Sequence, residues 1–325
     1  MASLIIILVV AISVAACGKE NSSADERGYT SETIRINDSN SYASCVQAII
    51  RSNGMLEQYL PEGITVEWTG IANSTDIRDA VIAGRIDIAS VGSPSVITAI
   101  ENQIPLVIIS STAGAPLYLY CKNPTIKAFE DINENTRITI PSKAAAAHIA
   151  FLAKCKDVFG DGTVFDNNLV IIPNTEALAS IASSDEYDGC LIGIPTTIRA
   201  NEIDGLSVLE DLTPVVLDYG ITSFFVCNED FYDNNPVIIE AFRKATIDAI
   251  EFIRNHTAKA AEILGEIYDI PPEYLVEALK TCPPDIYVSG YDRLAEFMLE
   301  VGILSSAPMR YETLLHYNDI PKVGE

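Results

Sequence analysis

Between Thr33 and Ser111 the chain repeats one rhythm, a short β-rich run followed by a segment of helical period. The runs are "TIRIN", "ITVEWTG", "IDIASVG" and "IPLVIIS". Strands that alternate with helices in this way pair in parallel and carry their helices on the sheet faces, so the chain is committed to an α/β architecture rather than a bundle or a sandwich. In the helix "STDIRDAVIAG", Ile77, Ala80 and Val81 fall at i, i+3 and i+4 on one apolar face, and Gly84 supplies the stop. The spacing also predicts helices over "SCVQAIIRSNGMLEQYL" and "SPSVITAIENQ".

The segment "APLYLYCKNPTIKAFEDI" breaks the rhythm, and "RITIP", "NLVIIP" and "YDGCLIGIP" begin a second strand-helix series. "ITSFFVCNEDF" matches "APLYLYCKNP" in character, each being an apolar β-rich run that ends in polar turn residues, and the two bracket that series. They are expected to lie side by side as crossing strands, bringing Cys121 near Cys227. The chain would then leave a first lobe near residue 120 and return near residue 228, which assigns 34–119 and 228–325 to the first lobe and 120–227 to the second. The remainder is helical. "NNPVIIEAFRKATIDAIEFIRNH" opens with Asn235 as N-cap and Pro236 at the first helical position. "AKAAEILGEIY", "PPEYLVEALK" and "GYDRLAEFMLEVGIL" follow, and are expected to pack back on the first lobe.

Ahead of this body, residues 1–16 read as a secretory signal. Leu4 to Ala16 are almost all apolar, form too short a run for a stable membrane-spanning helix, and end in Ala15-Ala16. Val14-Ala15-Ala16-Cys17-Gly18 resembles a bacterial lipobox, which implies cleavage before Cys17 and lipidation of its thiol. Met1-Ala2-Ser3 lacks the Lys or Arg with which such signals open, which points to a start further upstream. Residues 17–33 hold many Ser, Asn, Asp and Glu without apolar period and read as a flexible tether. Several acyl chains on Cys17 would hold the protein to a membrane, where one chain binds only marginally.

With 45 acidic against 21 basic residues the net charge is -24, which repels phosphate backbones and argues against nucleic acid as a partner. Cys45, Cys121, Cys155, Cys190, Cys227 and Cys282 form no CxxC pair and no cluster with the dispersed His148, His256 and His316. Neither a metal site nor a cofactor is expected. Several of these cysteines lie in apolar runs, where the thiol acts as a small hydrophobe, and few or no disulfides are expected.

The order of motifs carries a resemblance. "VEWTGIANSTDIRDAVIAGRIDIASVGSPSVITAIENQIPLVIIS" contains Trp68 at a strand end, Gly84 and Asp87 as Gly-x-x-Asp, and Gly92-Ser93-Pro94 ahead of an apolar strand. It resembles the solute-binding proteins of ABC importers for nitrate, sulfonate, taurine and pyrimidine precursors. "CKNPTIKAFEDI" is similar to that family's lobe-crossing segment, and "FFVCNEDFYDNNPVIIEAFRKATIDAIEFI" to its return and long helix. The resemblance implies an α/β two-lobed periplasmic-binding-protein fold (type II), with ligand in the cleft between lobes and closure by hinge bending. It further implies a monomeric, extracytoplasmic, lipid-anchored protein without reaction chemistry, whose partner is a membrane permease with ATPase subunits.

Strand ends indicate the cleft residues, because loops at the carboxyl ends of parallel strands surround a crevice. Asn37, Asp38, Ser39, Asn40, Ser41 and Tyr42 follow the first strand, where an aromatic ring and short donors converge. An N-cap role explains any one of them equally well. Ser93 and Ser95 flank Pro94 at a helix start, and capping accounts for one of the two. Ser142 and Lys143 precede the Ala-rich helix of "TIPSKAAAAHIAFLAK", where a hydroxyl, an ammonium and free N–H groups suit a sulfonate or carboxylate. Lys143 reads equally as a solvated charge. Thr196 and Thr197 hold another strand-to-helix junction, and Tyr219 lies near the chain's return. Trp68 either stacks on ligand or fills the core, the commoner state of a Trp ending a strand. Asp87 reads as structural and His148 as a packed helix residue.

The leading reading is a binding protein for a small organic anion of sulfonate, taurine or nitrate type. Its alternative is a binder of a neutral pyrimidine or thiamine precursor stacked on Tyr42 or Trp68. An enzyme on the same fold ranks lower. Synthases of the thiamine pyrimidine resemble this family but carry a Cys-rich cluster and a sacrificial histidine. Here no cysteines are adjacent, and three scattered histidines offer no Ser/His/Asp triad.

Overall fold

The first strand-helix series folds as β1 (Thr33–Asn37), α1 (Cys45–Ser52), β2 (Thr65–Thr69), α2 (Ser74–Ile82), β3 (Ala89–Gly92), α3 (Ser93–Glu101) and β4 (Leu106–Ser111) in the computed structural model, which describes residues 28–39, 41–71, 74–287 and 290–306. Cys17, Asn40 and the signal segment lie outside those residues. Helix α1 is shorter than its pattern suggested, because the chain turns at Gly54 with φ 57°. Helix α2 stops ahead of Gly84, which takes φ 63°. The second series gives β5 (Leu117–Cys121), β6 (Ile138–Ile140), α4 (Ala146–Phe159), β7 (Leu169–Ile171), α5 (Asn174–Ser183), β8 (Gly189–Gly193), α6 (Thr196–Ala200), β9 (Ser207–Asp211) and α7 (Thr213–Asp218). The chain continues through β10 (Ser223–Asn228), α8 (Glu229–Asn234), α9 (Pro236–Asn255), α10 (Thr257–Tyr268), α11 (Pro272–Thr281) and α12 (Tyr291–Glu300).

Strands β1 and β2 pair in parallel, and an Ile36–Ile88 bridge carries β1 onto the β3-β10-β4 sheet. The resulting order is β2-β1-β3-β10-β4. The other sheet runs β7-β6-β8-β5-β9. Each sheet thus places the second, first and third strands of its series in parallel, then one antiparallel strand, then the last.

The antiparallel strands correct one expectation. "LYLYC" and "SFFVCN" are not neighbours: β5 pairs with β8 and β9, whereas β10 pairs with β3 and β4. Cys121 stands opposite Gly189 and Cys227 opposite Val107, in different sheets. Both runs are almost wholly buried, and such a strand fits the middle of a sheet, where both of its edges find partners. The crossings lie just ahead of these strands, at 112–116 and 212–222. Thr112 N–H donates to Ser223 O at 2.9 Å, Ser223 N–H to Ala113 O at 3.2 Å, and Leu212 N–H to Leu117 O at 2.9 Å. Gly189 permits the tight β5–β8 pairing, since a Cβ there would stand 2.2 Å from Tyr120 O.

Two large apolar clusters fill the molecule. One packs α1, α9, α10 and α11 around Ile36, Ile49, Phe225 and Phe242. The other runs from α2 and α3 through α4 and α7 to α12, with Val91, Phe151, Phe224 and Met298 inside it. Helix α12, expected to pack back on the first lobe, touches both halves. Tyr291 stacks on Phe224 with centroids 6.5 Å apart, while Phe297 meets Tyr219 edge-on at 4.9 Å. Beyond its end, the Glu101 carboxylate of α3 accepts bonds from Ser305 and Ser306.

Thr30 and Ser31, expected within the flexible tether, are bonded to Asn235 at the start of α9. Asn235 caps α9 through its backbone carbonyl, and its side-chain oxygen instead accepts Thr30 N–H at 2.9 Å and Ser31 N–H at 3.0 Å. The chain is therefore fastened to α9 before β1 begins. Asp87 is structural as read: its buried carboxylate accepts Arg35 N–H at 2.7 Å and the Arg35 guanidinium at 3.0 and 2.7 Å. All six described cysteines are free and buried. No helix of the described residues is long and apolar enough to cross a membrane.

Candidate functional site

The crossings fix which ends of the two sheets meet. Segment 112–116 leaves the carboxyl end of β4 and enters β5 where β8 finishes, since Leu117 pairs with Gly193. Segment 212–222 leaves β9 beside Tyr118 and enters β10 opposite Gly92 and Ser111. The carboxyl ends of β1, β3 and β4 therefore face those of β6 and β8 across two hydrogen-bonded crossings. A crevice outside such strand ends is where open α/β sheets take ligands.

On the first side, Ser41 is half-buried at the turn into α1, and its hydroxyl has no partner among the described residues. Tyr42 is fully buried, with its hydroxyl donating to Cys282 O at 2.8 Å. Burial raises the Tyr42 phenol well above its ordinary value, so the ring serves the core and shows no face to a crevice. Ser93 is consumed by the crossing: its N–H donates to Thr222 O at 2.8 Å and its hydroxyl accepts Thr222 N–H at 3.2 Å. Ser95 is half-buried, and its hydroxyl has no partner among the described residues. Trp68, half-buried, lies in register with Ile36 and packs on the first cluster, and the Arg51 guanidinium stands 5.9 Å from its ring.

On the second side, Ser142 is half-buried on the loop between β6 and α4. Lys143 is neither free nor simply solvated. Its ammonium lies 2.9 Å from Asp166 Oδ2, and His148 Nε2 lies 2.7 Å from Asp166 Oδ1. Burial alone would raise the Asp166 carboxyl, but the bonds from Lys143 and His148 bring it below its usual range. Thr196 is half-buried and Thr197 buried at the start of α6. Tyr219 is buried on the crossing, held between Phe297 and the Arg293 guanidinium, 4.7 Å from its ring.

The strand ends also bring in Thr112, Ser110 and Tyr118, which were not singled out from the sequence. Thr112 donates to Ala43 O or Ser223 O, at 3.3 and 3.2 Å. Among the described residues, Ser110 Oγ and Asn37 Nδ2, the latter already expected after the first strand, are buried without a protein partner, leaving hydrogen-bonding capacity near the ends of β4 and β1. Tyr118, half-buried, stands on β5 one residue from the crossing. Its phenol is raised by burial and then by Asp211. The available signal for Tyr118 was its place at the start of an apolar run, two residues after Pro116. Among the described residues the arrangement is rich in hydroxyls and poor in unpaired charge, which suits the holding of a small polar molecule.

The two sheets and their crossings define a periplasmic-binding-protein fold of α/β type. The aliphatic sulphonate binding protein SsuA of Escherichia coli superposes with a TM-score of 0.68 at 19% identity, covering 86% of this chain and 90% of that one. The ligand-binding component of an ABC-type import system from Staphylococcus aureus superposes with a TM-score of 0.72 at 15% identity, covering 90% and 99%. The family model described as NMT1/THI5 like matches residues 58–260, and the chain belongs to that family. A curated relative, the taurine-binding periplasmic protein of Escherichia coli (strain K12), is 30% identical over 193 residues, 58% of this chain and 57% of that protein. The chain thus aligns with little more than half the length of this relative.

Proposed function

We propose that this protein is the extracytoplasmic solute-binding component of an ABC importer, and that it closes two lobes on a small organic sulfonate of taurine type. The observation that carries the reading is the facing of two sets of parallel strand ends across paired crossings. The relatives named for taurine, sulphonate and ABC-type import support the same class of ligand and partner. Ser41, Ser95, Tyr118, Ser142 and Thr196 are the residues we assign to the ligand, with Trp68 at the flank. Cys17 would carry the lipid that keeps the protein at the membrane, and Cys17→Ser should release it. Membrane association that survives this substitution would refute the anchor.

The test of the ligand is a titration of purified protein with taurine, an alkanesulfonate, nitrate and a thiamine-type pyrimidine, read by thermal shift and calorimetry. Ligand at a hundred times its dissociation constant stabilises the native state by about 2.7 kcal/mol. A shift with the sulfonates supports the proposal. The ion pair that occupies Lys143 favours one second reading, a neutral ligand held by hydroxyls and rings. A shift with the pyrimidine alone would establish that reading instead.

A further inference from the structure

The loop between β6 and α4 is held in an unfavourable shape by an unusual contact. Ala144 has φ 56°, one of three non-glycine residues with positive φ among those described. An L-residue with a Cβ rarely adopts that region, so something must maintain it. Ala144 N–H donates to His148 Nδ1 at 2.9 Å. An imidazole nitrogen accepts only when it carries no proton, which places the ring's single proton on Nε2, where it donates to Asp166 Oδ1 at 2.7 Å. The other oxygen of Asp166 takes Lys143, 2.9 Å away. Two consecutive loop residues, Lys143 and Ala144, are thus fastened to a single His–Asp unit. The ring is 3% exposed, and the charges that bear on it are Asp166, from the 166–168 turn, and Lys143, from the loop itself.

We propose that His148 is a positioning residue for ligand capture, shaping the 142–145 loop through the Ala144 N–H, and that protonation of its ring releases this loop. The inference rests on the assignment of that loop to the ligand crevice. A proton on Nδ1 would set one N–H against another, removing the bond that holds Ala144 N–H in its strained shape. Burial pushes the imidazole below its ordinary value, outweighing the upward pull of Asp166. The sign follows from linkage: the neutral ring's contribution is fully present above the unfolded value of about 6.5, and is lost as pH falls below it through the folded value. The loop should therefore be set at neutral pH and loosen in acid.

The decisive measurement needs no ligand. In the 15N-labelled protein at pH 7.5, the Ala144 amide should show scalar coupling across its hydrogen bond to His148 Nδ1, and the ring should be the Nε2–H tautomer. Both should vanish together as the ring titrates. His148→Gln keeps an acceptor without a titrating group, so its Ala144 amide should remain protected from exchange down to pH 5, whereas His148→Phe should lose protection at every pH. With taurine as probe, wild-type affinity should fall by up to about tenfold per pH unit below the folded value, and that of His148→Gln should stay flat. A ring protonated on Nδ1 at pH 7.5, or an acid response of the Ala144 amide unchanged in His148→Gln, would overturn the proposal. Absence of taurine binding at all pH values would count against the ligand assignment alone, since the amide readout judges the loop separately.

Discussion

Replacing Lys143 by Ala should weaken sulfonate binding by less than about fivefold. The ammonium is 48% exposed and lies 2.9 Å from an Asp166 carboxylate that is 29% exposed. A sulfonate approaching this pair meets a cation and an anion together, so their fields largely cancel. Water screens what is left: unit charges 4 Å apart interact by about 1 kcal/mol in bulk water, against about 4 at an effective dielectric of 20. Exposed pairs generally contribute about 0.2–1 kcal/mol, and the upper figure corresponds to about a fivefold change. Had the ammonium been free to make a charge-assisted bond to ligand, its removal would cost about 1.5–3 kcal/mol, tenfold to more than a hundredfold. Calorimetric titration of wild type and Lys143→Ala with taurine separates the two cases. A loss of tenfold or more, with the thermal midpoint unchanged, would refute the argument and return Lys143 to direct ligand contact.

Three further outcomes are expected. Tyr42→Phe leaves the Cys282 carbonyl without its buried donor and should lower stability by about 1–2 kcal/mol in urea, with taurine affinity nearly unchanged; lost affinity at full stability would restore Tyr42 to the ligand. Gly189→Ala drives a Cβ against Tyr120 O and should cost about 1–3 kcal/mol by parting β5 from β8, seen as a lower denaturant midpoint. Burial pushes the thiols of Cys45, Cys155, Cys190 and Cys282 up to about 12, so alkylating reagents should label them only after unfolding. Rapid labelling in the native protein would contradict their burial.

Much of the fold was legible because apolar runs and glycine stops are local signals. The strand β9 was not, since "SVLED" is an edge strand with exposed residues and three polar positions. Nor could the sequence say which sheet "LYLYC" or "SFFVCN" joins, because strands buried on both faces share one pattern and differ only in their partners. The crossing at 112–116 reads as an ordinary loop of small residues. At the site, strand-end polar positions were readable, but their availability was not. Ser93 is spent on Thr222, distant in sequence, and Lys143 on Asp166, on the far side of α4 in the chain. Tyr42 and Tyr219 look alike to a composition argument, and only packing reveals that both rings are taken.

The dry seam around α12 limits how the two halves can swing. Its Tyr291, Leu294, Phe297 and Met298 belong to one apolar cluster with side chains of α3 on one half and α4 on the other. Prising that seam apart would wet apolar surface at about 25 cal/mol per Å², whereas the hydroxyl-lined strand ends lose little by meeting water. The pivot of any rotation must therefore run close to α12, like the pin of a clasp, so that a few degrees of turn there become a travel of ångströms at the jaws. In the proposed closure, residues near the pin set the angle and those at the rim set the grip, so Phe297→Ala should alter the resting gape, read as a changed radius of gyration by small-angle scattering, without touching the residues assigned to the ligand.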